Sequence, residues 1–170
     1  MTPKIIGAIL ILAACGGMGF AVAAGYRQKE RMLQQLITAS QYMVSELQFR
    51  QAALPQLMKL SAQQTTGALA YIFSSMEMEL DLQREPDASC CMRKILSGMQ
   101  NLPEMVADKL LLLANSLGRF DLSGQISGLE AVAQLCRREL DGLLLNRDAR
   151  LRSYATLGLC AGAALVILFI

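Results

Sequence analysis

Histidine is absent from this 170-residue chain, and so is tryptophan. Without an imidazole there is no Ser-His-Asp or Cys-His nucleophile and no His-ligated metal. No glycine-rich loop runs into Lys followed by Ser or Thr, so the phosphate cradle of a P-loop is missing as well. The sequence therefore predicts neither an enzyme nor a cofactor nor a small-molecule substrate. Its five cysteines are an odd number without metal-ligand spacing. Cys90 and Cys91 are adjacent, so a bridge between them would be strained, and Cys136 stands alone. Reduced thiols are the expectation.

Charge is missing altogether from two long stretches. The first runs from Ile5 to Tyr26 and the second from Ser153 to Ile170. At about 1.5 Å per residue each reaches roughly 27–33 Å as a helix, close to the thickness of a bilayer's hydrocarbon core. Every acidic residue lies between them. This pattern predicts transmembrane helices over 1–26 and 153–170, bracketing a domain over 27–152. Membrane lipid is then the first partner.

The net charge of +2 hides an asymmetry. Arg27, Lys29 and Arg31 follow the first stretch, and Arg147, Arg150 and Arg152 precede the second. Apart from these six and their neighbours Glu30 and Asp148, the middle holds nine basic and twelve acidic residues. No basic stripe crosses it, which excludes a nucleic-acid partner. Positive flanks stay in the cytoplasm, so the middle domain should be cytoplasmic, with a four-residue N-terminal tail and the C-terminal carboxylate outside. Two processing signals compete with the first span: Ala21-Val22-Ala23 resembles a signal-peptidase site and Leu12-Ala13-Ala14-Cys15 a lipoprotein box. Both would export the middle domain, against the Arg27-Lys29-Arg31 cluster.

Apolar residues in the middle recur with helical period, and no segment alternates as a strand would. A first helix continues the apolar stretch through Met32, Leu33, Leu36, Ile37, Met43, Val44 and Leu47. Pro55 opens a short second helix through Leu57 and Leu60. Leu69, Ile72, Phe73, Met76 and Leu80 stripe a third, ended by Glu85-Pro86; a weaker fourth over Ser89 to Gln100 carries Ile95 and Met99. Pro103 opens a fifth with Val106, Leu110, Leu113 and Leu117 inward, stopped by Gly118. The last begins near Asp121 or Ser123, carries Leu129, Val132, Cys136, Leu140 and Leu143, and runs into the second apolar stretch. The expected fold is all-α: an antiparallel bundle of about six helices, with both membrane helices leaving from one end.

Three sets of residues are candidates for contact. Ala13, Gly17, Ala21 and Gly25 recur every fourth residue in the first apolar stretch, and Gly158 and Gly162 share that spacing in the second. Small residues so placed let helices approach closely in lipid, where they would pack the spans together, against partner proteins or in a homo-oligomer. Glu77, Glu79, Asp81, Glu85 and Asp87 crowd the end of the third helix, opposed locally only by Arg84, and are candidates for docking a basic partner face. The segment Leu117-Gly118-Arg119-Phe120-Asp121-Leu122-Ser123-Gly124-Gln125 reads first as a helix stop and an N-cap, and second as a contact site.

The chain resembles the stage III sporulation protein AB family of endospore-forming bacteria over nearly its whole length. Gly7-Ala8-Ile9-Leu10 and the Tyr26 to Arg31 boundary are similar to the family's opening, and Leu33 to Glu46 followed by Ala53-Leu54-Pro55 to its first long helix and the break after it. Leu117, Gly118, Asp121 and Gln125 correspond to the family's Leu-Gly-x-x-Asp-x-x-x-Gln, and Leu157-Gly158 through Gly162 to Val166-Ile167-Leu168 to its closing segment. The family usually carries a tryptophan in the short helix before the middle of the domain; here Cys90-Cys91-Met92 occupies that region. The resemblance implies a non-enzymatic membrane platform in the secretion-like channel complex between mother cell and forespore, similar to the F component of type II secretion systems. It implies a place in the mother-cell membrane around the forespore, and as partners other channel-complex proteins, including a cytoplasmic ATPase. The alternative from the residues alone is a two-span helical sensor or signal transducer, with its central domain outside the cell.

Overall fold

A computed structural model describes the backbone over residues 2–82, 87–100, 102–118 and 121–169, and the side chains over 24–82, 87–100, 102–118 and 121–145. Among them are six helices: α1 (Thr2–Arg50), α2 (Leu54–Gln64), α3 (Ala68–Asp81), α4 (Ala88–Ser97), α5 (Glu104–Ser116) and α6 (Leu122–Phe169). The fold is all-helical, as the periodicity predicts. α1 and α6 each run unbroken from an apolar end of the chain into the middle.

The chain divides into two units. One comprises Met1–Glu30 with Asp141–Ile170, and the other Arg31–Leu140. The first consists of the outer parts of α1 and α6. Most of both apolar stretches lies outside the residues whose side chains are described. Among the described residues, no helix is long and apolar enough to cross a membrane.

Within Arg31–Leu140, the breaks between helices have local causes. Pro55 sits in the first turn of α2, where its missing N–H costs nothing. Gly67 adopts φ +65° to turn the chain into α3. Pro103 precedes α5, and Glu104 places a carboxylate in its first turn, where the helix dipole favours one. α2 packs on α3, α3 on α4, and α4 on α5. One groove is lined by Gln41 and Val44 from α1 and by Glu130, Ala133 and Arg137 from α6. A second cleft is lined by Leu47 and Gln51 with Leu122 and Gln125. As α1 advances, α6 thus recedes beside it: the two are antiparallel, and both run out of this unit at the same end.

Leu33, Leu36, Met43, Leu57, Leu69, Ile72, Phe73, Met76, Leu110 and Leu113 are wholly buried. Each contributes about 1.5–3 kcal/mol by leaving water. The stripes read from the sequence are therefore mostly the core. α4 differs. Its buried face is Ala88, Ser89, Cys91 and Met92, whereas Ile95 is only half-buried. The helix also stops at Ser97, short of Met99 and Gln100. Small residues let α4 lie close to its neighbours, and Met92 supplies the bulk there. Cys91 and Met92 have no exposed surface. Two buried hydroxyls are satisfied within their own helices: Ser40 donates to the Leu36 carbonyl at 2.8 Å and Ser61 to that of Leu57 at 2.8 Å.

Burial decides how the thiols react. Cys91 and Cys136 have no exposure, while Cys90 is half-buried. Burial also pushes the Cys136 thiol up to about 11, so it holds its proton at neutral pH; Lys109 pulls the other way and Glu139 adds to the rise. Iodoacetamide should alkylate Cys90 first among these three, and peptide mapping should find Cys91 and Cys136 modified only after denaturation. Modification of Cys136 in the folded protein at the rate of Cys90 would contradict this placement.

Candidate functional site

Four helix ends meet at the end of the Arg31–Leu140 unit remote from residues 31 and 140. These are the C-termini of α1 and α5 and the N-termini of α2 and α6. Between them lies a cleft of about 350 Å³, lined by Leu47, Gln51, Leu54, Gly118, Leu122 and Gln125 among others. None of the residues lining it carries a charge.

Each wall has a sequence-level reason. α1 stops because Gln51 turns into the left-handed region at φ +48°, an uncommon conformation for a residue with a side chain. α5 stops at Leu117, whose side chain is fully buried, and Gly118 then takes φ +78°. A Cβ at Gly118 would lie 3.8 Å from Cδ2 of Leu54, so there is room, and the requirement for glycine is the backbone angle. Asp121 begins α6 as an N-cap: its Oδ1 accepts the Gly124 backbone N–H at 3.2 Å and its Oδ2 accepts the Ser123 hydroxyl at 2.6 Å. The Gln125 N–H then donates to the Asp121 carbonyl at 3.0 Å, the first helical bond.

The four residues of the family-like motif thus play different parts. Leu117 fills the core, Gly118 makes the turn and Asp121 caps α6. Gln125 lies half-buried in the cleft wall. The helix-stop and N-cap reading accounts for Leu117, Gly118 and Asp121. A contact role falls to the cleft that Gly118 and Gln125 line.

The Ser123 hydroxyl, then the Gly124 N–H, hold the Asp121 carboxyl below its ordinary value of 3.8. The folded carboxyl is the stronger acid, so its contribution to stability is complete above that ordinary value and is lost as pH falls through the lower, folded one. Acid titration from neutral pH should therefore destabilise the parent more than Asp121→Asn, which keeps an acceptor without the charge. Parallel melting curves for the two proteins would remove Asp121 from the pH response.

The acidic cluster is partly neutralised within the fold. Glu77 pairs with Lys59 of α2 at 3.5 Å, and Glu79 with Lys94 of α4 at 3.2 Å. The local sequence offers only Arg84 as a counter-charge; the counter-ions come from neighbouring helices instead. Asp81 is exposed at the end of α3. Asp87 precedes α4 and accepts the Ser89 hydroxyl at 2.9 Å. Glu85 and Arg84 lie outside the described residues.

Of the small-residue stripe, Ala13, Gly17, Ala21, Gly158 and Gly162 lie outside the residues whose side chains are described. At Gly25 an added Cβ would meet nothing within 4 Å.

Three features escaped the sequence reading. Gly128 of α6 lies so close to α5 that a Cβ there would sit 2.6 Å from both Cβ and Oγ of Ser116. An isolated glycine inside a helical pattern was the available signal. The left-handed Gln51 had none. Phe49, in the last turn of α1, is 84% exposed. Its offset from the Leu47 stripe was the clue.

Comparison with known proteins turns on residues 4–170, which match the family model for stage III sporulation protein AB. The chain belongs to that family. A solved structure described as stage III sporulation protein AB (SpoIIIAB) is similar at 16% identity and a TM-score of 0.61, with 72% of this chain and 98% of that one covered. At that identity the likeness supports the fold alone. No curated protein matches the sequence. The family is a structural sporulation family, so the chain is a sporulation protein built as a helical bundle. The motif resemblance and the whole-length match agree.

Proposed function

We propose that this member of the stage III sporulation protein AB family is a non-enzymatic membrane platform in the channel complex between mother cell and forespore. The observation that carries the reading is the family match over residues 4–170, which takes in both apolar ends. The helices over 1–26 and 153–170 hold the chain in the mother-cell membrane around the forespore. The six flanking basic residues keep the central bundle in the cytoplasm. α1 and α6 leave the central unit at one end, which suits a domain carried on two spans. The small-residue positions, from Ala13 to Gly25 and at Gly158 and Gly162, would pack those spans together or against neighbouring subunits.

A platform of this kind docks a cytoplasmic ATPase. The acidic end of α3 is the surface proposed for it. Because Glu77 and Glu79 already have lysine partners, Asp81 and Glu85 are the acids to test. The double variant Asp81→Lys with Glu85→Lys should weaken ATPase binding by the full-length protein at low salt. The difference should shrink at high salt, since exposed charges are screened over about 8–10 Å at physiological ionic strength. Equal affinity for variant and parent at low salt, with helicity preserved, would assign the patch to solvation.

A further inference from the structure

We infer that the outward face of α3 docks the ATPase through an apolar stripe, so that the ATPase presents an apolar, basic-edged face to it rather than a basic surface alone. Tyr71, Met78 and Leu82 are 63%, 61% and 52% exposed. Successive helical residues turn by about 100°, which brings these three within an arc of about 40° and spreads them over roughly 16 Å of the axis. Leu82 caps α3 in register with it, its N–H donating to the Met78 carbonyl at 3.1 Å. The buried face, with Leu69, Ile72, Phe73 and Met76, lies on the other side of the helix. Of the five large apolar side chains more than half exposed among the described residues, three make up this one stripe. Single exposed apolar groups are ordinary, whereas a line of them marks a contact surface.

The charges on α3 select what covers the stripe. All its acids, Glu77, Glu79 and Asp81, fall in the C-terminal half of the helix, and α3 has no basic residue. Glu77 and Glu79 flank the stripe on opposite sides, each held by a lysine of a neighbouring helix. Asp81 is exposed and has no such pair among the described residues. A second copy of α3 laid on the stripe would bring more acids and no base. An anionic lipid surface is repelled for the same reason. A partner face with an apolar centre, and a base where it meets Asp81, suits both parts of the surface; apolar centres with polar rims are how protein interfaces are built. The identity of the partner rests on the ATPase reading above, and the stripe adds the form of the face it must present.

The test uses the full-length chain in detergent, with the purified cytoplasmic ATPase as the probe. Tyr71→Ala combined with Met78→Ala should raise the dissociation constant about tenfold or more, and about equally at low and high salt, because an apolar contact is not screened. Asp81→Lys should weaken binding at low salt and lose that effect at high salt. Tyr71 and Met78 are exposed, so helicity and melting of the double variant should match the parent's. With the photo-crosslinking residue p-benzoylphenylalanine at position 78, illumination should join the chain to an ATPase segment that carries apolar and basic residues together. A parent without affinity for the ATPase would overturn the platform reading and this inference with it. Binding that Asp81→Lys weakens and the double alanine variant leaves unchanged would overturn the apolar contact alone. Cross-links from position 78 to a second copy of this chain would overturn the choice of partner.

Discussion

Gly128→Ala should lower the stability of the bundle by about 1–3 kcal/mol, the usual cost of forcing an extra group into a filled space. The new Cβ would stand 2.6 Å from Cβ of Ser116, a distance that real atoms of this kind do not keep. Neither atom sits at the end of a flexible side chain, so the helices themselves must separate. α5 and α6 are also joined, two to three turns away, by the Lys109–Glu139 ion pair at 3.4 Å. Ser116→Gly in the same chain removes both atoms met by the new methyl. The double variant should therefore be more stable than Gly128→Ala alone, despite about 1 kcal/mol lost by a glycine near a helix end. Chemical denaturation of the four proteins measures this. Additive losses from the two substitutions would contradict the close approach.

Phe73→Ala should cost about 3–5 kcal/mol, which is a large part of the stability of an ordinary domain. Phe73 is wholly buried on α3, the helix packed against both α2 and α4. Its loss removes an aromatic ring from the core and leaves a cavity. The exposed Tyr71, two residues earlier, is the control: Tyr71→Ala should change stability by about 0.5 kcal/mol or less. A similar loss at the two positions would mean that the face of α3 is assigned wrongly.

Much of this architecture was legible in residue patterns. Leu33, Leu36, Met43 and Leu47 share one face of α1 because helical spacing repeats, and their burial follows from it. The corner between α5 and α6 could be read because Gly118 and Asp121 act through local backbone geometry, which needs no distant partner. α4 was legible in position but not in facing. Counting apolar residues favoured Ile95 and Met99, whereas the core takes Ala88, Ser89 and Cys91, whose value is their small size where helices crowd together. The same limit hid Gly128, whose need for glycine arises from Ser116 on another helix. The acidic end of α3 looked opposed by Arg84 alone because Lys59 and Lys94 reach it only through tertiary packing. The cleft was not legible at all, since its walls come from four segments and one of them depends on an unusual backbone angle at Gln51. Of that cleft, Gly118, Leu122 and Gln125 had been marked beforehand as part of a contact candidate, within the segment from Leu117 to Gln125.

The platform reading stands or falls with the side of the membrane on which the central bundle lies. Cys90, half-buried on α4, is the natural reporter there. A membrane-impermeant maleimide applied to intact sporulating cells should leave Cys90 unlabelled, and the same reagent should modify it once the membrane is permeabilised. Labelling of Cys90 in intact cells would put the bundle outside and contradict the account.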